Sequence, residues 1–376
     1  MLDVSAAFDT VDHSILLERL SKSYGLTGSA HGWFESFISE RRQTVRFGGT
    51  TAPTSLVRFG IPQGSVLGPV LYILYTADVA SLVESFGLRV HLYADDTQLY
   101  GFSSPDDSAA LADLIRRAID SVSEWMASNR LLLNGDKTQY IWFGTKQQLG
   151  KRDVQRLTDI SPALTSTSVV RNLGVLLDSE LTMVNHVTKL CQVCFFQLRR
   201  LRAVRRSLTP DVTLTLVHAF VCSRIDYCNS ALYGVAASTL DRLQSILNAA
   251  ARLILRVPKY GHISAAIRDR LHWLPVRRRI EFRICMLVRN SLSRTAPAYL
   301  MDLCLPSSSV PGRRHLRSAG KGDLVVPSFR RERSGRRGFS VAGPCCWNSL
   351  PPTIRCLADQ PETFEKALKT YFMQQY

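Results

Sequence analysis

Two runs of β-forming residues, Leu88-Arg89-Val90-His91-Leu92-Tyr93 and Thr97-Gln98-Leu99-Tyr100-Gly101-Phe102, alternate apolar and polar side chains around a short break. Period-two alternation predicts a β-hairpin, with Asp95 and Asp96 at its tip. Upstream, Leu2 to Asp9 predicts a short strand and a turn, followed by a helix from about His13 to Tyr24 closed by Gly25. A second helix, from about Ala30 to Ser39, carries Trp33, Phe34, Phe37 and Ile38 on its apolar side. Gln43–Phe47 and Ser55–Phe59 alternate around Gly48-Gly49 and predict another hairpin. It leads into a Gly- and Pro-bearing loop, Gly60 to Pro69, which opens an apolar helix from about Val66 to Val83.

After the Asp95 hairpin, Pro105 and two first-turn acids start a helix running from about Asp106 to Ser128. Asn134-Gly135-Asp136 then turns the chain into a strand over Gln139–Phe143. Strand, helix, two hairpin strands, helix, strand is the split βαβ order of a ferredoxin-like sheet, an α+β arrangement that leaves one sheet face free. Residues 145–168 are polar and predict a linker, and Ser168 to Asp178 predicts a further hairpin around Leu173-Gly174. From about Met183 to Leu292 the apolar spacing is helical, with stripes over His186–Val204, Pro210–Val221, Thr239–Leu255 and Arg279–Ser291. A last short helix falls over Thr363–Tyr371.

Composition narrows the class. At 376 residues and 45% hydrophobic content the chain has room for two or three domains, each with a core. The longest apolar run contains Pro69 and Asp78, so no membrane span is expected. The start lacks a basic segment followed by an apolar one, so no secretory signal is expected either. An intracellular protein, nuclear or cytoplasmic and not secreted, is the expectation. The net charge of +16 is uneven: residues 1–150 hold 12 Lys/Arg against 16 Asp/Glu, a net of −4, and the remainder holds 35 against 15, a net of +20. An acid-bearing front and a basic back suit an active site fed by a polyanion held next to it, although a solvated basic protein shares that balance. Arg199, Arg200, Arg202, Arg205 and Arg206 place five arginines in eight residues, either a phosphate-contacting run or a solvated helix end. Residues 311–338 hold nine Lys/Arg against two acids, a composition of disordered nucleic-acid-binding or nuclear-address segments. The nine cysteines are an odd number without secretory context, which argues for reduced thiols. Cys191 and Cys194 have a zinc-like spacing near His186, yet no second ligand pair follows, so core thiols are expected rather than structural zinc.

The candidate chemistry lies in the acids. Asp3 on one strand and Asp95 on a hairpin supply hard oxygen donors for divalent cations. Two such cations ~3.5–4 Å apart suit in-line phosphoryl transfer. A solvated turn is the alternative for Asp95-Asp96, and a plain strand-to-helix turn for Pro62-Gln63-Gly64. Gly64 permits close backbone approach, and Gln63 offers both a donor and an acceptor.

Three segments together carry a family likeness. Asp3 through Phe8-Asp9, the Gly60-to-Pro69 loop and Tyr93-Ala94-Asp95-Asp96 resemble the three core palm motifs of reverse transcriptases. Ala7-Phe8-Asp9-Thr10-Val11-Asp12-His13 and Gly60-Ile61-Pro62-Gln63-Gly64-Ser65 are most similar to enzymes of non-LTR (LINE-type) retrotransposons. The resemblance implies a polymerase palm over residues 1–150, a linker and primer-grip-like hairpin over 151–182, a helical thumb over 183–300 and a basic, partly disordered tail over 301–376. It implies that Asp3 and Asp95 hold the catalytic metals with Asp96 as supporting neighbour, that Phe8 rejects ribonucleotides, and that Gln63 and Gly64 position template and nucleotide. Lys137, in the place of the family's fourth motif, would help pyrophosphate leave; a surface lysine is the plainer reading. The implied cofactor is Mg²⁺ as two ions, with Mn²⁺ as substitute, and the implied partners are an RNA template, a DNA primer and dNTP. Only two residues precede Asp3, and the family's fingers and endonuclease precede that point, so an N-terminally truncated enzyme with poor stand-alone activity is the expectation. Two readings of function follow: an RNA-directed DNA polymerase, or an inactive truncated relic that only binds nucleic acid. Another two-metal phosphoryl enzyme such as a nuclease is a third.

Overall fold

In the computed structural model, which describes residues 1–151, 165–310, 322–329 and 335–375, the chain falls into two units, Met1–Val170 and Arg171–Tyr376. The first runs β1 (Val4–Ser5), α1 (His13–Lys22), α2 (Gly28–Ile38), the two-residue strands β2 to β5 (Arg42–Gln43, Arg46–Phe47, Thr50–Thr51, Ser55–Leu56), α3 (Gly68–Thr76), α4 (Asp78–Ser85), β6 (Arg89–Tyr93), β7 (Asp96–Tyr100), α5 (Ser108–Ser128), β8 (Leu132–Leu133) and β9 (Gln139–Tyr140). β6 and β7 pair antiparallel over five residues, β1 pairs antiparallel with β8, and an antiparallel bridge joins Leu2 to Thr97. Neighbours therefore run β8, β1, β7, β6. Leu2, Val4 and Thr97 are buried beneath this surface, where Leu16, Tyr72 and Val122 from α1, α3 and α5 complete the core.

The predicted elements differ from the observed ones in instructive places. The expected helix over Val66–Val83 is two helices meeting at Ala77. Arg19 donates to the Tyr75 carbonyl, which an unbroken helix would use internally, and the Thr76 hydroxyl bonds back to the Tyr72 carbonyl at 2.9 Å. The same guanidinium also reaches Asn129 Oδ1 at 2.9 Å and Asp78 at 3.2 Å, so one side chain ties α1 to α4 and to the end of α5. β8 is a strand without a signature in the sequence, because two leucines are too short a run to show a period. The Gly48-Gly49 hairpin is present, with both glycines at positive φ, as its tight turn requires. The predicted strand over Gln139–Phe143 shortens to β9, which pairs parallel with Thr165–Ser166. Most of the expected linker, residues 152–164, lies outside the described residues.

The strands Val169–Asn172 and Val175–Asp178 form a hairpin that turns on Leu173-Gly174 at positive φ. Asp178 accepts from the N–H groups of Thr182 and Met183, each at 2.8 Å, just before the Val184–Val204 helix. That helix packs on Ala237–Leu255, and Val276–Leu292 packs on Phe339–Asn348. Trp347 and Phe364 stack at 5.7 Å within the same core as Val187 and Leu247. Within the expected tail, residues 335–375 carry helices that belong to this core. Residues 311–321 and 330–334, most of its basic run, lie outside the described residues. Arg279 pairs with Asp226 at 2.7 Å, donates to the Leu274 carbonyl and lies over the buried Trp273 ring. This gives Leu271-His272-Trp273-Leu274-Pro275 a structural role at the start of a helix.

Candidate active site

The Leu2 N–H donates to the Thr97 carbonyl at 2.8 Å. Continuing that antiparallel register by one residue sets Asp3 beside the β6–β7 turn. Asp3 is held from the other side as well: its N–H faces Thr138 Oγ1 at 3.4 Å, and its carbonyl accepts from Asn134 N–H at 2.8 Å. The turn itself is one residue earlier than the sequence pattern implies. Ala94, at φ +53, and Asp95 form it, while Asp96 pairs with Tyr93 as the first residue of β7. Asp95 and Asp96 are exposed, and the Asp3 side chain is 37% exposed. Burial pushes the Tyr72 phenol up, and the negative charge of Asp95 pushes it further, which ties the hairpin tip electrostatically to Tyr72. The Lys137 ammonium lies 3.8 Å from Asp3, so this position already attracts positive charge. Among the described residues no group of three or more His, Cys, Asp or Glu is gathered tightly enough to grip a metal ion.

The Gly60 loop is fastened to the turn that follows β1. Gly60 N–H donates to the Val11 carbonyl and Ile61 N–H to the Phe8 carbonyl, each at 2.8 Å, and His13 Nε2 meets the Gly60 carbonyl at 2.8 Å. Gly60 has φ +90, and a Cβ there would stand 2.9 Å from the Asp9 carbonyl oxygen, so only glycine allows this contact. The Ser65 hydroxyl donates to the Pro62 carbonyl at 2.7 Å and accepts from Gly68 N–H at 3.0 Å, shaping the entry to α3. Phe8, Pro62, Gln63, Gly64, Ser65 and Gly68 line a cavity of about 310 Å³. Phe8 rests on Tyr72 with ring centroids 4.8 Å apart, and Gly64, at φ +77, has open space where a side chain would project. Gln63 Nε2 donates to both oxygens of Asp9, at 3.2 and 3.3 Å.

In the second unit, Arg199, Arg200, Arg202 and Arg206 are exposed, with Arg200 over the Phe196 ring. Arg205 is a correction. It is 7% exposed, and its guanidinium donates to the carbonyls of Leu208, Leu253 and Ile254 at 2.9 to 3.1 Å. It closes the end of the Ala237–Leu255 helix and has no face left for a phosphate. Cys191 and Cys194 are buried, and burial pushes the Cys194 thiol up to about 11, which disfavours the thiolate that a metal requires.

The profile of the family "Reverse transcriptase (RNA-dependent DNA polymerase)" matches residues 1–177, the span that holds every one of these loop and hairpin contacts. The chain is 29% identical over 268 residues, 69% of its length, to the "RNA-directed DNA polymerase from mobile element jockey" of Drosophila funebris. It is 30% identical over 259 residues, 67% of its length, to the "Probable RNA-directed DNA polymerase from transposon X-element" of Drosophila melanogaster, and 28% identical over 279 residues to that of transposon BS. Residues 1–177 thus carry a reverse transcriptase domain, and the chain is similar to the polymerases of non-LTR mobile elements. It spans 28 to 30% of the length of these curated relatives.

Two further residues of the site, Asp9 and Tyr72, carry no signal in the sequence. Asp9 lies within the Ala7–His13 stretch, and its contact with Gln63 spans 54 residues that no local pattern connects. Tyr72 was visible only as one more apolar helix position.

Proposed function

We propose that this chain carries out template-directed DNA synthesis on RNA, by attack of a primer 3′-hydroxyl on the α-phosphate of a dNTP. The β8, β1, β7, β6 order supports a ferredoxin-like polymerase palm, and Phe8 and Gln63 line a cavity in the same unit. The observation that carries the reading is the Leu2–Thr97 bridge, which sets two solvent-accessible carboxylates, 92 positions apart in the chain, at one sheet end. Asp3 and Asp95, with Asp96 beside them, would hold two Mg²⁺ ions, for which Mn²⁺ can substitute; their hard carboxylate oxygens and partial exposure suit that role, and the three would draw together on binding the ions. Bound there, divalent cations lower the pKa of the primer hydroxyl and neutralise charge on the departing pyrophosphate.

The chain's own residues do the rest. Phe8, braced by Tyr72, forms a rigid wall against the sugar and excludes a 2′-hydroxyl. Gln63 and the open backbone at Gly64 position the incoming nucleotide against the template. Lys137 delivers positive charge to the pyrophosphate side of Asp3. Arg199, Arg200, Arg202 and Arg206 contact the phosphates of the RNA–DNA duplex, in the region assigned as thumb.

Primer extension decides it. The chain is incubated with oligo-dT on poly-rA, dTTP and Mg²⁺, beside an Asp95→Asn control. Extension that exceeds the control supports the proposal; nucleic-acid binding with no extension sinks it, and shortening of the primer points to a nuclease.

A further inference from the structure

Apart from the candidate metal-binding acids, the site holds a contact between Asp9 and Gln63 that the proposed reaction does not use. Gln63 projects from an exposed loop with a glycine next to it, so among the described residues the Asp9 carboxylate is what fixes its side-chain amide. A carboxylate can only accept hydrogen bonds, so an amide that meets it must present N–H rather than C=O. Both Asp9 oxygens lie within 3.3 Å of Gln63 Nε2, and the carbonyl Oε1 is thereby turned away from Asp9. Backbone bonds at Phe8, Val11 and Gly60, together with the close approach at Gly60, fix the spacing of the two loops.

We propose that Asp9 is a positioning residue which orients the Gln63 amide, so that Gln63 presents a hydrogen-bond acceptor to the incoming nucleotide. The contact fixes one of two amide orientations. Without the carboxylate the amide is free to turn over, and half of the time it would offer a donor where an acceptor is needed. The expected consequence is a loss in nucleotide capture rather than in the chemical step. This inference rests on the polymerase reading for its kinetic consequence, but the contact itself does not.

Two arms test it on the full chain, with Asp9→Leu and the conservative Asp9→Asn, whose amide oxygen still accepts from Gln63. In the first, the side-chain amide of Gln63 is followed by ¹⁵N NMR and assigned by its loss in Gln63→Ala. Asp9→Leu is expected to move that signal and Asp9→Asn to move it less; a signal indifferent to both overturns the inference whether or not the chain polymerises. In the second, Asp9→Leu is expected to raise KM for dTTP about tenfold with a smaller change in kcat. Asp9→Asn is expected to recover most of that, and Gln63→Ala to add little to Asp9→Leu. Effects of Asp9→Leu and Gln63→Ala that simply multiply, or that fall on kcat alone, overturn it. Should the wild type extend no primer, the polymerase reading fails and the NMR arm alone decides the inference.

Discussion

Leu2 and Thr97 share one backbone hydrogen bond of 2.8 Å, and both side chains are buried on the core side of the sheet. Side chains alternate across a strand, so burying Leu2 turns its neighbour Asp3 towards the opposite face. The pairing thus explains in one step why an acid stands two residues from the start of an apolar segment without destabilising it. It also explains why the acid is partly exposed and beside the hairpin turn. The same alternation along β7 buries Thr97 and leaves Asp96 outside.

The fastening of the Gly60 loop yields the first prediction. Gly60→Ala places a Cβ 2.9 Å from the Asp9 carbonyl oxygen at a φ of +90 that alanine rarely adopts. A loss of roughly 1–3 kcal/mol in stability is expected from the backbone strain. Chemical denaturation checks it, and nucleotide binding should fall further than stability does, because the Gln63 loop shifts.

Arg205 gives a prediction of a different kind from those of its neighbours. Removing its guanidinium leaves the carbonyls of Leu208, Leu253 and Ile254 unpaired. Arg205→Ala is expected to cost roughly 2–4 kcal/mol, as buried acceptors lose a charged donor. Its effect on the salt dependence of nucleic-acid binding should be small. Arg199→Ala and Arg200→Ala, at exposed sites, should leave stability within about 0.5 kcal/mol. Each should lower the salt-dependence slope by about 0.7–0.9. Denaturation and binding titrations across salt separate the two classes.

A third expectation concerns acid. Burial lowers the His186 pKa below its ordinary 6.5, and its Nδ1 faces the Leu176 N–H at 3.4 Å, as a neutral ring does. Below 6.5 the unfolded chain binds a proton that the folded chain resists, so stability rises with pH in that window. The contribution is complete above 6.5 and is lost as pH falls from there through the folded value. Melting temperature should therefore drop between about pH 7 and pH 5. His186→Gln should flatten part of that dependence, the remainder coming from His218, which burial also lowers.

A fourth follows from the stacked pair at the cavity wall. Phe8→Ala removes a ring that Tyr72 holds from behind. Ribonucleotide use relative to deoxyribonucleotide use is expected to rise by about tenfold or more, a change of about 1.4 kcal/mol in discrimination. Competition between dTTP and UTP on one primer measures it. An unchanged ratio would remove Phe8 from the specificity role.

The sequence was most informative where local periodicity and geometry agree. Alternation around Asp95, the glycine pair at Gly48-Gly49 and the helical stripes of the second unit all became the expected elements, because each is set by neighbours a few residues apart. Misreadings came where a distant group intervenes. The break at Ala77 depends on Arg19 reaching the Tyr75 carbonyl from another helix. Arg205 looks like its four neighbours in composition, but the helix ends at Val204 and the following turn carries it inward. The one-residue shift of the hairpin tip follows from Ala94 taking the positive φ, which adjacent acids alone do not reveal. Asp9 is the sharpest example: its partner is 54 residues away, and only the fold brings the pair together.

The central claim is that Asp3 and Asp95 share one divalent-cation site, and Mn²⁺ binding tests it most directly. Paramagnetic broadening from substoichiometric Mn²⁺ should strike the amide signals around Asp3 and those around Asp95 together. Asp3→Asn and Asp95→Asn should each abolish the effect at both places. Broadening confined to one of the two segments, or surviving at Asp3 after Asp95→Asn, would contradict the account.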